Sequence, residues 1–428
     1  MDLIRIGLQN LDDARANLDR LKADGVSDER LVGMLKALSK VCDPDCALSN
    51  FVDITNAMQS QGRDFDAMVP DEAALERLIT VLGVSDALGK LMRFRPELVE
   101  AAANDACESH LYNHEQRRAH VLKSVGADPN DHAMPTANLP LAEAATALRK
   151  TYRKQLAAIM TQDATANDPT EIQPRISAEL SDLADAALEG ALAIARHEVD
   201  GSEHVRFAII GMGKLGAREL NYVSDVDLIY VVEPADTDTN GMTLNRVGTK
   251  MATTLQRVCQ SVIMGVAEPT LWQIDGGLRP EGKDGPLVRR LESHEAYYEQ
   301  WAENWEFQAL LKARPVAGDF DLGQAYMSMT RPFVWTASKR DNFVYDCQQM
   351  RKRVEDLIPN PLKDREIKLG RGGLRDVEFT VQMLQLVHGR SDEALRTSST
   401  LESLQALAEG GYVSRKQAKK LSWDYRFE

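Results

Sequence analysis

Over roughly the first 125 residues, charged and apolar positions alternate at spacings of three and four, as in LDDARANLDRLKADG and DEAALERLITVLG. This spacing predicts a series of short helices. Gly25 and Gly83 follow two of these runs, where a helix end favours glycine. The polar stretch VGADPNDHAMPTANLP, with its three prolines, predicts a loop over 125–140. A helix is predicted from about 141 to 161, carrying Arg149, Arg153 and Lys154. TANDPTEIQPR predicts a break, and helix 176–198 follows with Ile176, Leu180, Leu183, Ala187, Ala191 and Ile194 on one face. The texture changes at residue 204. VRFAII (205–210) and VDLIYVV (226–232) are compact, β-branched runs of strand length, and TLWQID (270–275) reads as a third strand. Between the last two, Leu244, Val247, Met251, Leu255, Val258 and Val262 mark a helix over 241–262. From 291 onward the pattern is helical again, broken at ARPVAGD, IPNPLKD and LGRGG. The expected fold class is therefore mostly α with a central α/β unit.

Composition narrows the function classes. The 428 residues carry 51 Lys and Arg against 65 Asp and Glu, a formal charge of −14, with 43% hydrophobic and 27% charged residues. Those proportions are those of a globular protein. The acidic balance argues against generic binding of nucleic acid or an anionic membrane, but leaves room for a local basic site that grips phosphates. No window approaches the ~20 apolar residues of a membrane span, and MDLIRIGLQNLDD lacks the apolar core of a signal peptide. The five scattered cysteines, Cys42, Cys46, Cys107, Cys259 and Cys347, point to a reducing, cytoplasmic setting. Cys42 and Cys46 lack the second pair or histidines that a zinc site needs.

The candidate chemistry lies between the first two strands. Gly211-Met-Gly-Lys-Leu-Gly216 matches G-x-G-x-x-G after a strand, but a dinucleotide-binding turn opens a full helix within a unit of about 30 residues. Here the next strand begins at Val226, which leaves space for one or two helical turns. Asp225 and Asp227 lie two apart at a strand start, so both carboxylates project to one side. That arrangement suits Mg²⁺, which prefers hard oxygen ligands and also takes phosphate oxygens. Asp275, at the end of the third strand, would complete the set if that strand pairs beside the second. A two-metal site of this kind serves phosphoryl or nucleotidyl transfer. The amides of the Gly211–Gly216 loop, with Lys214 in it, and the Ser224 hydroxyl could hold phosphates. The bland reading is that the aspartates cap a strand end and that Asp275 makes a turn before Gly276 and Gly277.

Basic residues follow: Arg279, Lys283, Arg289, Arg290, Lys312, Arg314, Arg371 and Arg375. A phosphate clamp is expected among two or three of them, the others lying on solvated faces. Gly370–Gly373 precedes an amphipathic helix whose N-terminus could take an anion or could end a simple loop. His110, His114 and His120 read as surface or packing residues, and the Tyr298, Trp301, Trp305 and Ala309 stripe as core. Glu299, Glu303 and Glu306 read as a solvated face, with Glu306 able to turn inward.

Four ordered motifs, GMGKLGARELNYVSDVDLIYV, LRPEGKDGPLV, WEFQALLKARPVAGD and IKLGRGGLRDVEF, resemble those of the bacterial glutamine synthetase adenylyltransferase/adenylyl-removing family. The likeness runs from about residue 140 to the last residue, and more loosely over the N-terminal helices. It implies a nucleotidyltransferase fold of the polymerase-β type flanked by helical domains. The N-terminal helical region would be 1–135, the catalytic domain with its leading helices 140–290, and a truncated helical bundle 291–428. ELN-x-x-SD-x-DLI and the YY…WE…KAR…AGD run look more like the adenylyl-removing half, which takes AMP off a glutamine synthetase tyrosine with inorganic phosphate and releases ADP. The resemblance places Asp225, Asp227 and Asp275 at the metal-binding acid positions, with Mg²⁺ as cofactor. Gly213 and Ser224 fall on its phosphate-binding signature, and Gly211 and Lys214 of the same loop are expected to bind phosphate or nucleotide with them. Many relatives have a basic residue where this chain has Gly277, so that contact would pass to Arg279 or Lys283. The implied partners are glutamine synthetase, the PII signalling protein, phosphate and ADP or ATP, with no nucleic acid and no membrane. Adenylyl transfer from ATP and a non-catalytic nucleotide- or PII-sensing module are the alternatives. Because KQAKKLSWDYRFE ends within an expected helix, the chain is expected to be a piece of an enzyme about twice as long.

Overall fold

The computed structural model describes residues 2–103, 113–237, 240–363 and 365–427. Cys107 and His110 lie outside the described residues. The chain divides into two compact units, Met1–Asn113 with Lys150–Ile176, and His114–Arg149 with Ser177–Glu428. Among the described residues, no helix is long and apolar enough to cross a membrane.

The first unit is helical, as the alternating pattern predicts. Its helix starts are set by short polar side chains. Ser27 accepts from the amide of Arg30, Asp43 from Cys46, Asp71 from Ala74 and Ser85 from Leu88, each satisfying an amide that has no partner within its helix. Phe51, Ile54, Leu78, Ile79 and Leu82 are among its buried core. Gly25 adopts φ +87° after helix Leu11–Ala23, as expected of a helix end. Gly83 does not. It lies inside helix Glu72–Val84, where a Cβ would come 2.9 Å from the Val41 side chain. Close packing, not turn chemistry, explains that glycine. The Cys42 and Cys46 thiols donate to the carbonyls of Gly83 and Leu82, the last turn of the same helix.

The second unit is built on a mixed five-stranded sheet. Its strands are β1 (Val205–Gly211), β2 (Val226–Pro234), β3 (Ile274–Asp275), β4 (Val288–Arg289) and β5 (Arg314–Gly318). The order is β3-β2-β1-β5, with β4 also on β2. β1 runs antiparallel to both neighbours, whereas β3 and β4 pair with β2 in parallel. β1 is buried along its length except at Arg206, as its unbroken apolar run requires. On one face Ala208, Ile210, Ile229 and Val231 share a core with Tyr298, Phe307 and Tyr326. Helix Gly241–Gln260 closes on Val232 and Val288 through Gly248. Leu374, Val377, Leu404, Leu407 and Tyr425 form a further core among the last helices.

Several expectations change. TANDPTEIQPR is not a full break, because the helix already runs from Pro169 to Glu198 with Pro174 inside it. Pro174 has no N–H to give the carbonyl of Thr170, and the helix continues through it nonetheless. ARPVAGD, read as a break, supplies β5. The third strand shrinks to Ile274 and Asp275. Helix 241–262 ends at Gln260, leaving Val262 90% exposed. The aromatic stripe spans two helices, Leu291–Gln300 and Asn304–Leu310, so Tyr298 is core but Trp301 is 72% exposed. The interruption is fixed by a reciprocal capping box between Glu303 and Glu306. Glu306 does turn inward, accepting from Tyr297 Oη at 3.0 Å, and burial raises its carboxyl above the ordinary range.

Candidate active site

The glycine turn is shaped by what surrounds it. After β1 the chain makes a single helical turn, Gly213–Gly216, before returning toward β2. Gly213 has φ +54°, and a Cβ there would lie 2.6 Å from Oδ2 of Asp227. Only glycine meets both demands. At Gly216 a Cβ would stand 1.9 Å from the carbonyl oxygen of Lys312, so the turn lies directly on the backbone leading into β5. The amide of Met212 donates to the Asp227 carbonyl at 2.8 Å, closing the turn onto β2. Lys214 is half-buried, its Nζ donates to Asn221 at 3.0 Å, and burial lowers its affinity for a proton.

The acids meet this turn from the other side. Asp227 and Asp275 are register partners across the parallel β2–β3 pair, and in a parallel pair partners project to the same face. Asp225 stands two residues ahead of Asp227 and is exposed, and Ser224 beside it is half-buried. Burial, then the charge of Asp225, then that of Asp275, push the Asp227 carboxyl up to about 6, against a partial opposing pull from Arg375 and Lys368. Among the described residues none of the three carboxylates makes an ion pair. Asp275 Oδ1 accepts from the amide of Gly277 at 2.6 Å, so the turn chemistry and the convergence of acids occur together. A half-buried carboxylate raised by burial and by two neighbouring acids, with a glycine against it, belongs to a donor set that suits a hard divalent cation.

The comparisons with known proteins bear on this site. Residues 75–329 match the model of the family described as glutamate-ammonia ligase adenylyltransferase. The chain belongs to that family. Within the glutamate-ammonia ligase adenylyltransferase family it is similar to three bifunctional glutamine synthetase adenylyltransferase/adenylyl-removing enzymes. It is 78% identical to that of Bifidobacterium longum (strain DJO10A), 44% to that of Cutibacterium acnes and 42% to that of Mycolicibacterium smegmatis. These alignments take in 100%, 100% and 97% of the chain, and 40%, 43% and 40% of the relatives. The chain thus spans about two fifths of the length of the curated relatives it matches. Residues 348–428 also match the model described as GlnD PII-uridylyltransferase.

In this member of the adenylyltransferase family, most of the basic residues nominated from sequence are bound internally. Arg279 donates to the carbonyls of Gly276, Lys283 and Gly285, stapling its own loop. Arg289 pairs with Glu281, and Arg290 pairs with Glu233. Lys312 Nζ donates to Glu219 at 3.0 Å and to Thr400 Oγ1 at 3.2 Å. Lys283 and Arg371 are exposed.

Sequence reading missed the knot behind the turn. His114, Asp182 and Asp185 bring their ligand atoms within 4.8 Å of one another. Arg314 takes Asp185 in a fork at 2.6 and 3.2 Å and donates to the carbonyls of Leu215 and Gly216. Arg218, at φ +58°, pairs with Asp182 at 2.7 Å. With two guanidinium groups already on these carboxylates, the knot is a structural latch. A divalent ion there would face both arginines. His114, read as a surface or packing residue, is 3.5 Å from Asp185, whose hydrogen bond raises its pKa. The only sequence signal for this latch was the arginine in KAR. Its partner lies on a helix 129 residues away.

Proposed function

We propose that this chain carries the phosphorolytic, adenylyl-removing activity of a bifunctional nitrogen-regulatory enzyme, on a nucleotidyltransferase fold whose catalytic domain is residues 140–290. AMP is taken from an adenylylated tyrosine of glutamine synthetase, with inorganic phosphate as the attacking group and ADP as the product. The observation that supports this best is the Asp227–Asp275 register pair, with Asp225 beside it and Gly213 against the Asp227 carboxylate.

Asp225, Asp227 and Asp275 are assigned to Mg²⁺, which when bound supplies positive charge to phosphate oxygens. Gly211, Gly213, Lys214 and Ser224 are assigned to the phosphate groups of the nucleotide. Arg279 holds the 276–285 loop in shape through its carbonyl contacts, with Lys283 exposed on that loop. A phosphate oxygen attacks the phosphorus of the tyrosyl-AMP diester, and the new P–O bond makes ADP. The bond to the phenolic oxygen breaks, and the tyrosinate takes its proton from water. No dedicated acid is required of the chain, since a phenolate is a modest base. PII is proposed as the effector, and the protein as cytoplasmic.

The test offers the chain adenylylated glutamine synthetase plus phosphate in one reaction, and unmodified glutamine synthetase plus ATP in another, both with Mg²⁺. ADP release in the first supports the proposal. AMP incorporation in the second alone reverses the direction. Nucleotide binding without turnover in either makes the chain a sensing module. The double variant Asp225→Asn/Asp227→Asn is expected to lose ADP release while keeping its helical circular dichroism. Unchanged turnover would remove the acids from the mechanism.

A further inference from the structure

Resting on the proposed reading, Arg375 differs from the other basic residues in keeping an exposed face while its guanidinium is braced by a buried carboxylate. Arg375 lies in the first turn of helix Leu374–His388, with its side chain one-third exposed. Among the described residues its charged partner is Glu378, at 3.0 Å through Nη1, and the guanidinium lies 5.9 Å from the Phe379 ring centre. Its charge reaches Asp227, as does that of the exposed Lys368.

The support under Arg375 is unusually rigid. Glu378 is 3% exposed and is shared by Arg375, Lys312 at 3.8 Å and Tyr425 Oη at 3.1 Å. Lys312 bonds Glu219, which accepts as well from Ser399, from both the amide and hydroxyl of Thr400, and from Tyr425. The amide of Glu219 donates to the carbonyl of Lys214 at 2.8 Å, inside the glycine turn. An unbroken series of contacts therefore runs from the turn to Arg375. Burial works against both charges in the centre, yet Glu219 and Glu378 hold the Lys312 ammonium above its ordinary value, and Lys312 with Arg375 hold the Glu378 carboxyl below its own. Lys312 and Glu378 both stay charged, which fixes the geometry on which Arg375 rests.

We infer that Arg375 holds the phosphate that becomes the β-phosphate of ADP. The argument is one of position and of bracing. Arg279, Arg289, Arg290, Lys312 and Arg314 are engaged by internal partners. Arg375 combines a braced stem, an exposed face and electrostatic reach to Asp227. A guanidinium matches phosphate with paired N–H donors. Placed there, it also offsets the charge that an incoming phosphate would meet from the carboxylates.

The test compares binding of ADP and AMP, each with Mg²⁺, to the full chain by titration calorimetry, because the two ligands differ by this phosphate alone. Wild type is expected to prefer ADP at least tenfold. Arg375→Gln is expected to abolish the preference with AMP affinity unchanged, and Arg375→Lys, which keeps the charge beside Glu378, to keep part of it. In the phosphate-dependent reaction, Arg375→Gln should raise KM for phosphate more than it lowers kcat. Retention of the ADP preference in Arg375→Gln overturns this inference alone. A wild-type chain that binds neither nucleotide, or binds them equally, overturns it too, and absence of binding also removes the reading on which it rests.

Discussion

Replacing Asp227 by asparagine separates the requirement of chemistry from the requirement of folding. In the metal-free chain the Asp227 carboxyl is pushed up to about 6, first by burial and then by Asp225 and Asp275, from an ordinary value of 3.8. The folded state thus binds the proton more tightly than the unfolded state. This group's favourable contribution is complete below pH 3.8 and is lost as pH rises through 6. The gap between the two values corresponds to about 3 kcal/mol at neutral pH and above. Asparagine has nearly the same shape and no charge. Asp227→Asn is therefore expected to be more stable than wild type by up to about 3 kcal/mol at pH 8, and equal to it near pH 4, while losing activity. Urea unfolding at pH 4.5, 6 and 8 in the presence of a chelator measures this directly. Added Mg²⁺ should raise the midpoint of wild type but not of the variant. A stability difference independent of pH, or a variant less stable at pH 8, would refute the reasoning that Asp227 is a strained, unpaired carboxylate.

Two further predictions concern the glycine turn. Gly213→Ala forces a side chain into φ +54° and against the Asp227 carboxylate, so a loss of about 1–2 kcal/mol is expected, with a larger proportional loss of Mg²⁺-dependent activity. Unaltered Mg²⁺ dependence would show that the contact is incidental. Arg314→Ala leaves Asp185, 1% exposed, without its fork. About 3 kcal/mol should be lost. The loss should shrink as pH falls, because His114, whose pKa Asp185 raises above 6.5 against an opposing pull from Arg314, takes up its proton more readily once the arginine is gone and supplies the missing charge. Equal losses at pH 5.5 and pH 8 would exclude that exchange.

What was legible in the sequence is what is local. β1, β2 and helix Gly241–Gln260 follow from apolar runs within one segment, and the short Gly213–Gly216 turn from the distance between two strands. The order of acids was equally plain, because Asp225 and Asp227 lie in one strand start and Asp275 closes a readable apolar run. β5 was hidden by its own composition. Arg314–Gly318 contains Pro315 and ends at a glycine with φ +84°, which mark a loop by themselves. Such residues are tolerated because β5 is at the sheet edge and its pairing shifts register between Ile209 and Ile210. Lys312 was hidden for another reason. A lysine reads as solvated unless its partners are known, and Glu219, Glu378 and Thr400 come from three distant segments. The Arg314–Asp185 latch likewise depends on residues that only the finished fold brings together.

The Lys312 cluster has a consequence for the order of folding. The sheet strands are all present in the chain by Gly318, but Glu219 and Lys312 meet Glu378, Thr400 and Tyr425 only after a further hundred or so residues have been made. Until then two ions destined for the interior have incomplete partners, and desolvating them is costly. The glycine turn therefore reaches its final shape only when helix Arg415–Phe427 docks. A nascent chain that has completed its sheet still lacks the contact that closes the Lys312 cluster, which a tyrosine about a hundred residues further on supplies.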